Sequence, residues 1–294
     1  MLSARPPAFA LTALLAALLA AVPLAGQTAP EPPEKQTPPT PPAETKIDAA
    51  AAEDQEFSLS HGIGTRFVDL ASPYVVPGGV LELTITHRFL KAIQDGDSHD
   101  LWGLDSGAET AFGLGYGISD RAEISIFRSS FQETFELAGK VLLLDQAKGR
   151  PVTASVRLGL DCARREGVED PTRPFVQVLL VREVGRLALF AAPSYVRDTP
   201  RLRNASNLPV GIAFALPHDW IVEAEVVPKN RDLPSSVLAW HLAASKTIGG
   251  HIFEILLGNS RATTVDQILG GDFAGGFERR DVRLGFNLIR DFDL

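Results

Sequence analysis

Apolar and polar residues alternate with a period of two in segment after segment of this 294-residue chain. Between residues 110 and 118, Phe112, Leu114, Tyr116 and Ile118 alternate with Ala111, Gly113, Gly115 and Gly117. After Ser119, Asp120 and Arg121, the residues Ala122, Ile124 and Ile126 alternate with Glu123, Ser125 and Phe127. That spacing predicts a hairpin with one apolar face and one small or polar face. The same period predicts strands at 80–90, 110–118, 121–129, 134–144, 152–161, 173–181, 186–196, 208–216, 220–227, 237–246, 251–259 and 281–294. With lipid outside and polar groups within, the fold class expected is all-β: a transmembrane antiparallel up-and-down β-barrel of about 12 strands.

The connections sort into two classes. Those after even-numbered strands are short turns, at 119–120, 147–150, 183–185, 217–219 and 249–250. Those after odd strands are longer and more polar, at 91–109, 162–172, 197–207, 228–236 and 260–280, with 130–133 the short exception. Short periplasmic turns and long outer loops are the habit of outer-membrane barrels, and an even count puts both termini on the periplasmic side. By this reading residues 263–276 lie on the cell exterior, and Asp120 lies at the hidden end.

Four stretches follow along the chain. Residues 1–27, with Arg5, an apolar run at 8–24 and small residues Ala25 and Gly26, read as a secretory signal peptide. Residues 28–56 form a Pro/Ala-rich periplasmic tail whose composition predicts disorder. The pre-barrel segment 57–79 is expected to cover the inner mouth or lie along the membrane surface, and the barrel domain fills 80–294. The expected location is the outer membrane, with a periplasmic N-terminal tail.

A family likeness lies in the first three strands. Thr86-His87-Arg88-Phe89, the run LWGLDSGAE from Leu101, GLGYGISDR from Gly113, and Arg128-Ser129-Ser130 together resemble the bacterial membrane β-barrel family of unknown function DUF5777. The resemblance runs from about Val80 to the C-terminus; it implies a barrel with no established activity, and so carries over no catalytic residue. In the last strand Val282, Leu284, Phe286 and Leu288 face one way, and Arg283, Gly285 and Asn287 the other. This resembles the C-terminal strand read by outer-membrane assembly machinery, with Leu294 in place of the usual terminal aromatic residue.

Composition narrows the classes further. A formal charge of −8 gives no basic footprint, so nucleic acid is not an expected partner. Hydrophobic content of 45% and a mean hydropathy of +0.06 come with no apolar run of about 20 residues after the leader, which argues against membrane helices. Cys162 is the sole cysteine, so neither an intramolecular disulfide nor a Cys-rich metal site can form, and nothing like a lipid-anchor cysteine follows the leader.

Strand parity assigns the interior. The lumen-lining candidates are Glu82, Arg88, Glu123, Lys140, Arg157, Glu223, Glu225, His241, Glu254, Asp281 and Arg283. Arg or Lys on the lipid face would cost about 2–4 kcal/mol each at the midplane, which explains their segregation. Such mixed charges make either a paired polar core or the lining of a small pore. Closing strand one on strand twelve is expected to bring Arg88 beside Asp281 and Glu82 nearer Asn287, with Arg283 between.

Residues carrying chemistry are sparse. Asp95, Asp97, His99, Asp100 and Asp105 collect ligand atoms in one loop, but the Glu that would close a calcium loop is missing, so the reading is a solvated acidic loop without metal. No cofactor is expected. No nucleophile, base and orienting group stand out together, and an enzyme is not expected. The functional expectation is an outer-membrane barrel of unknown specific activity, either a narrow channel for small solutes or a structural barrel. Its expected partners are outer-membrane lipid, the assembly machinery and a small solute of unknown identity. Two alternatives stand beside it: a lipid-modifying barrel using His87 or His241 at the outer rim, and a soluble periplasmic β-sandwich binding module.

Overall fold

The computed structural model describes residues 59–164, 172–197, 204–230, 238–270 and 281–294. The expected signal peptide, 1–27, and tail, 28–56, lie outside these residues. The wall consists of β1 (Val80–Phe89), β2 (Ala108–Ser119), β3 (Ala122–Ser129), β4 (Phe135–Leu144), β5 (Thr153–Cys162) and β6 (Thr172–Val184). It continues with β7 (Leu187–Ala191 and Ser194–Arg197), β8 (Asn204–Asn207 and Val210–Leu216), β9 (Trp220–Val227), β10 (Ala239–Ile248), β11 (His251–Gly258) and β12 (Arg283–Asp293). Each strand pairs antiparallel with its sequence neighbours, and β12 pairs with β1 from Val80↔Asp293 to Arg88↔Gly285, so the sheet closes into a 12-strand barrel. β7 and β8 are each broken at a proline, Pro193 and Pro209, which has no N–H for the ladder. The carbonyls of these prolines still accept from Val178 N and Ala192 N at 2.9 Å, so the wall stays continuous there.

Closure leaves the apolar positions outside. Ile118 is 60% and Ile255 66% exposed, and Phe112, Leu114, Leu137 and Leu158 stand out in the same way. A water-soluble sandwich would bury such a face between two sheets, so the β-sandwich alternative fails here. His87, on this outer face, stacks on Phe286 with centroids 4.9 Å apart.

The interior is filled from both ends. From the end with short turns, α1 (Leu59–Ile63) leads into a tight hairpin, in which Arg66 bridges Ala71 and Phe67 N donates to Leu70 O at 2.8 Å. The chain then returns to Val80. Leu59, Ile63, Phe67, Val68 and Leu70 are at most 2% exposed, so this segment is a plug inside the lumen. The expected position across the mouth or along the membrane is thereby corrected. From the other end, the connection after β11 folds inward through α2 (Val265–Gly270), where Val265, Ile268 and Leu269 are buried. The expected outer-surface location of 263–276 is therefore wrong for 263–269; residues 271–280 lie outside the described part.

The closure register also differs from expectation. Arg88 stands opposite Gly285 rather than Asp281, and Glu82 opposite Asp291 rather than Asn287, a slide of four residues. Asp281 lies before β12 and Arg283 begins it, so both fall at the loop end of the barrel. There Arg283 bonds Asp281 at 3.2 Å and the Leu90 carbonyl at 3.0 Å, partly exposed and away from the central lumen.

Candidate functional site

A hairpin inside a barrel cannot pair its backbone with the wall ladder, because every wall strand already has two neighbours. Its buried N–H and C=O groups need other partners. The inward side chains supply them. Glu225 on β9 accepts from Asp69 N and Leu70 N, each at 3.1 Å, and Glu123 on β3 accepts from Val76 N at 2.7 Å. Lys140 on β4 donates to Ser72 O at 3.2 Å, Asn287 on β12 donates to Val68 O at 2.8 Å, and Ser155 on β5 donates to Pro73 O. Charges that line an open pore would face water; these are spent on the plug.

The infolded loop is held by the same logic. Glu136 and Asp161 accept from the first amides of α2, Val265 N at 2.9 Å and Asp266 N at 2.8 Å. Arg173 pairs with Asp266, and Gln267 donates to Phe131 O and Thr134 Oγ1 at 2.9 and 3.0 Å. Plug and loop meet where Arg66 Nη2 lies 3.5 Å from Thr263 O, with the Arg66 guanidinium over the Phe127 ring.

At the hairpin tip, Asp69 accepts from Arg88 on β1 at 2.5 Å, and its other oxygen lies 3.2 Å from Nε2 of His241 on β10. His241 Nδ1 is 3.6 Å from Glu225 Oε1. Two glycines make room for these long side chains. A Cβ on Gly258, opposite His241 in β11, would come within 1.9 Å of the imidazole Cδ2. One on Gly285, opposite Arg88 in β12, would meet Arg88 Cδ at 3.0 Å.

Nine of the eleven lumen candidates from the sequence are buried inside: Glu82, Arg88, Glu123, Lys140, Arg157, Glu223, Glu225, His241 and Glu254. Lys140 pairs with Glu123 at 3.0 Å, and Arg157 with Glu136 and Gln177. Among the described residues, nine buried carboxylates face four buried Lys or Arg side chains and His241. What sequence reasoning missed is Asp69, Arg66 and Asp266, the partners brought in by plug and loop. At the short-turn end a cavity of about 490 Å³ remains, lined by Glu82, Asp120, Glu183 and Asp291 among others. Tyr74 donates to Glu183 there at 2.5 Å; burial first, then that carboxylate, pushes the phenol far above its ordinary pKa and keeps it a neutral donor. In the opposite loop, the hydrogen bond between Lys91 and Asp100 raises the amine and lowers the carboxyl.

A family model described as a membrane bound beta barrel domain (DUF5777) matches residues 63–292. The chain belongs to the DUF5777 family. The matched span opens inside the plug, so in this DUF5777 protein the hairpin is part of the domain rather than a tail attached to it. No curated protein matches the chain. Among solved structures, the COG4313 outer membrane channel from Pseudomonas putida F1 is similar at a TM-score of 0.51 and 11% identity, covering 76% of this chain and 100% of that one. Outer membrane phospholipase A from Escherichia coli gives a TM-score of 0.42 and 16% identity, over 74% of this chain and 91% of that one. The first likeness establishes the barrel fold, the fold of an outer-membrane channel. The DUF5777 protein is a membrane β-barrel with no established specific activity.

Proposed function

We propose that this DUF5777 protein sits in the outer membrane with its N-terminal tail in the periplasm, as a closed channel for small solutes gated by the plug hairpin. The observation that carries this is the chemistry of the plug's seat. The hairpin is attached through polar and ionic contacts to side chains of six wall strands, beside apolar contacts of Phe67 with Phe190 and of Val68 with Ala243 and Leu256. Ion pairs of this kind are exchangeable, and the wall ladder keeps its hydrogen bonds when they release.

Catalysis has no such support. His87 is stacked among aromatic side chains on the lipid face, and His241 is surrounded by carboxylates and the Ser260 backbone. We read the protein as a non-enzymatic barrel. Planar-bilayer recordings test the channel: the complete protein should stay closed or open briefly, and a variant lacking residues 59–76, or carrying Arg66→Ala with Asp69→Asn, should give larger and longer steps. A folded, heat-modifiable barrel that conducts in none of these forms would leave a structural barrel as the reading.

A further inference from the structure

We infer that Asp69, Glu225 and His241 form a binding site for one divalent transition-metal ion, zinc by its donor set, which clamps the plug tip to the wall. One ligand atom from each residue lies within 4.8 Å of the others. Three points so spaced share a centre about 2.8 Å or less from each, so small side-chain rotations reach zinc–ligand distances of about 2.0–2.2 Å. All three side chains are at least 97% buried. Asp69 Oδ2, Glu225 Oε1 and His241 Nδ1 make no hydrogen bond, an expensive condition for buried polar groups; their ionic contacts are Oδ2 to His241 Nε2 at 3.2 Å and Oε1 to His241 Nδ1 at 3.6 Å.

The remaining atoms of these side chains are engaged in ways that suit a ligand sphere. Asp69 Oδ1 is held by Arg88, Glu225 Oε2 by two plug amides, and His241 Nε2 lies 3.2 Å from Asp69 Oδ2 and 3.3 Å from the Ser260 carbonyl. A ring that donates from Nε2 to a carbonyl presents an unprotonated Nδ1 to an ion, the usual orientation of a metal-bound imidazole. One nitrogen and two carboxylate oxygens favour zinc or a neighbouring first-row ion over calcium, which prefers an all-oxygen shell. Glu223, with an unpartnered Oε2, adds a further buried carboxyl group to the same region. A loose acidic cluster would be exposed; this one is buried and spans two wall strands and the plug.

The site stands whether or not the barrel conducts, because the test reads metal directly. Full-length mature protein, purified in detergent, is stripped with chelator and titrated with Zn²⁺ against a competing zinc dye, and its metal content is measured by elemental mass spectrometry. The expected result is one equivalent of ion per chain, with affinity at least about tenfold weaker in His241→Gln and in Gly258→Ala, which displaces the ring without removing a ligand. Glu82→Gln, at the far end of the lumen, should bind as the unaltered protein does. Heat-modifiable migration verifies that each variant is folded. Stripped, folded protein that takes up less than about a tenth of an equivalent overturns the inference, and so does equal affinity in His241→Gln.

Discussion

Replacing Arg88 with Met would test the plug's main anchor while keeping most of the side chain's apolar stem. Arg88 is 1% exposed and bonds Asp69 at 2.5 Å, with further bonds at 3.1 Å to the carbonyls of His87 and Phe286. Losing the guanidinium leaves the Asp69 carboxylate, itself 1% exposed, without its closest cation, and removing one partner of a buried pair costs about 3–5 kcal/mol. The Asp69→Asn change should cost less, because Asn can still accept from Arg88. In the double variant neither charge remains, so the total loss should fall short of the sum by about 1–3 kcal/mol. Urea unfolding in detergent, followed by intrinsic fluorescence with chelator present, measures the cycle. Additive losses would refute the pairing, and an Arg88→Met loss under about 1 kcal/mol would refute its burial.

Three further outcomes follow from the same contacts. Gln267→Ala removes two bonds at 2.9 and 3.0 Å that fix the infolded loop, and should make the 259–270 connection protease-sensitive from the loop side while the barrel stays folded. Inserting an epitope at Asp120 should block assembly, because Asp120 sits in the tight β2–β3 turn and its Oδ1 accepts from Gly78 N at 3.1 Å as the plug leaves the lumen. In the loop after β1, the hydrogen bond to Lys91 lowers the Asp100 pKa, so its contribution is complete above the ordinary carboxylate range and lost only as pH falls through the lowered value. Lys91 is raised by the same bond, so its contribution is lost only as pH climbs through the raised amine value; titrating the loop by NMR should show the contact intact between these limits.

The wall was legible because a strand in lipid must alternate, so Phe112, Leu114 and Tyr116 in β2 reveal both the element and its outer face. The inward charges were legible from the same parity. Their partners were not. The hairpin at Arg66–Ala71 has no period, and its contacts reach to Glu225, 156 residues along the chain from Asp69. The cue present in the sequence was the acid surplus on the inward faces; Glu123, Glu136, Asp161 and Glu225 accept from amides of the plug and the loop. Arg88 shows a second limit: parity gave its direction, but a slide of four residues along β12 preserves parity and changes the neighbour from Asp281 to Gly285. α2 was missed because six residues are too few to show a helical period, and its amides are stabilised by Glu136 and Asp161 from distant strands.

The central claim is that the lumen is closed by the plug from one end and the infolded loop from the other, and thiol accessibility tests it most directly. In a Cys162→Ala background, single cysteines at Val68 and Thr264, both 0% exposed, are treated with a maleimide-linked polymer in the folded, detergent-solubilised barrel. Both should resist modification until the barrel is heat-unfolded, whereas a cysteine at Asp97 in the exposed loop should react at once. Rapid labelling of Val68→Cys in the folded barrel would contradict the plug.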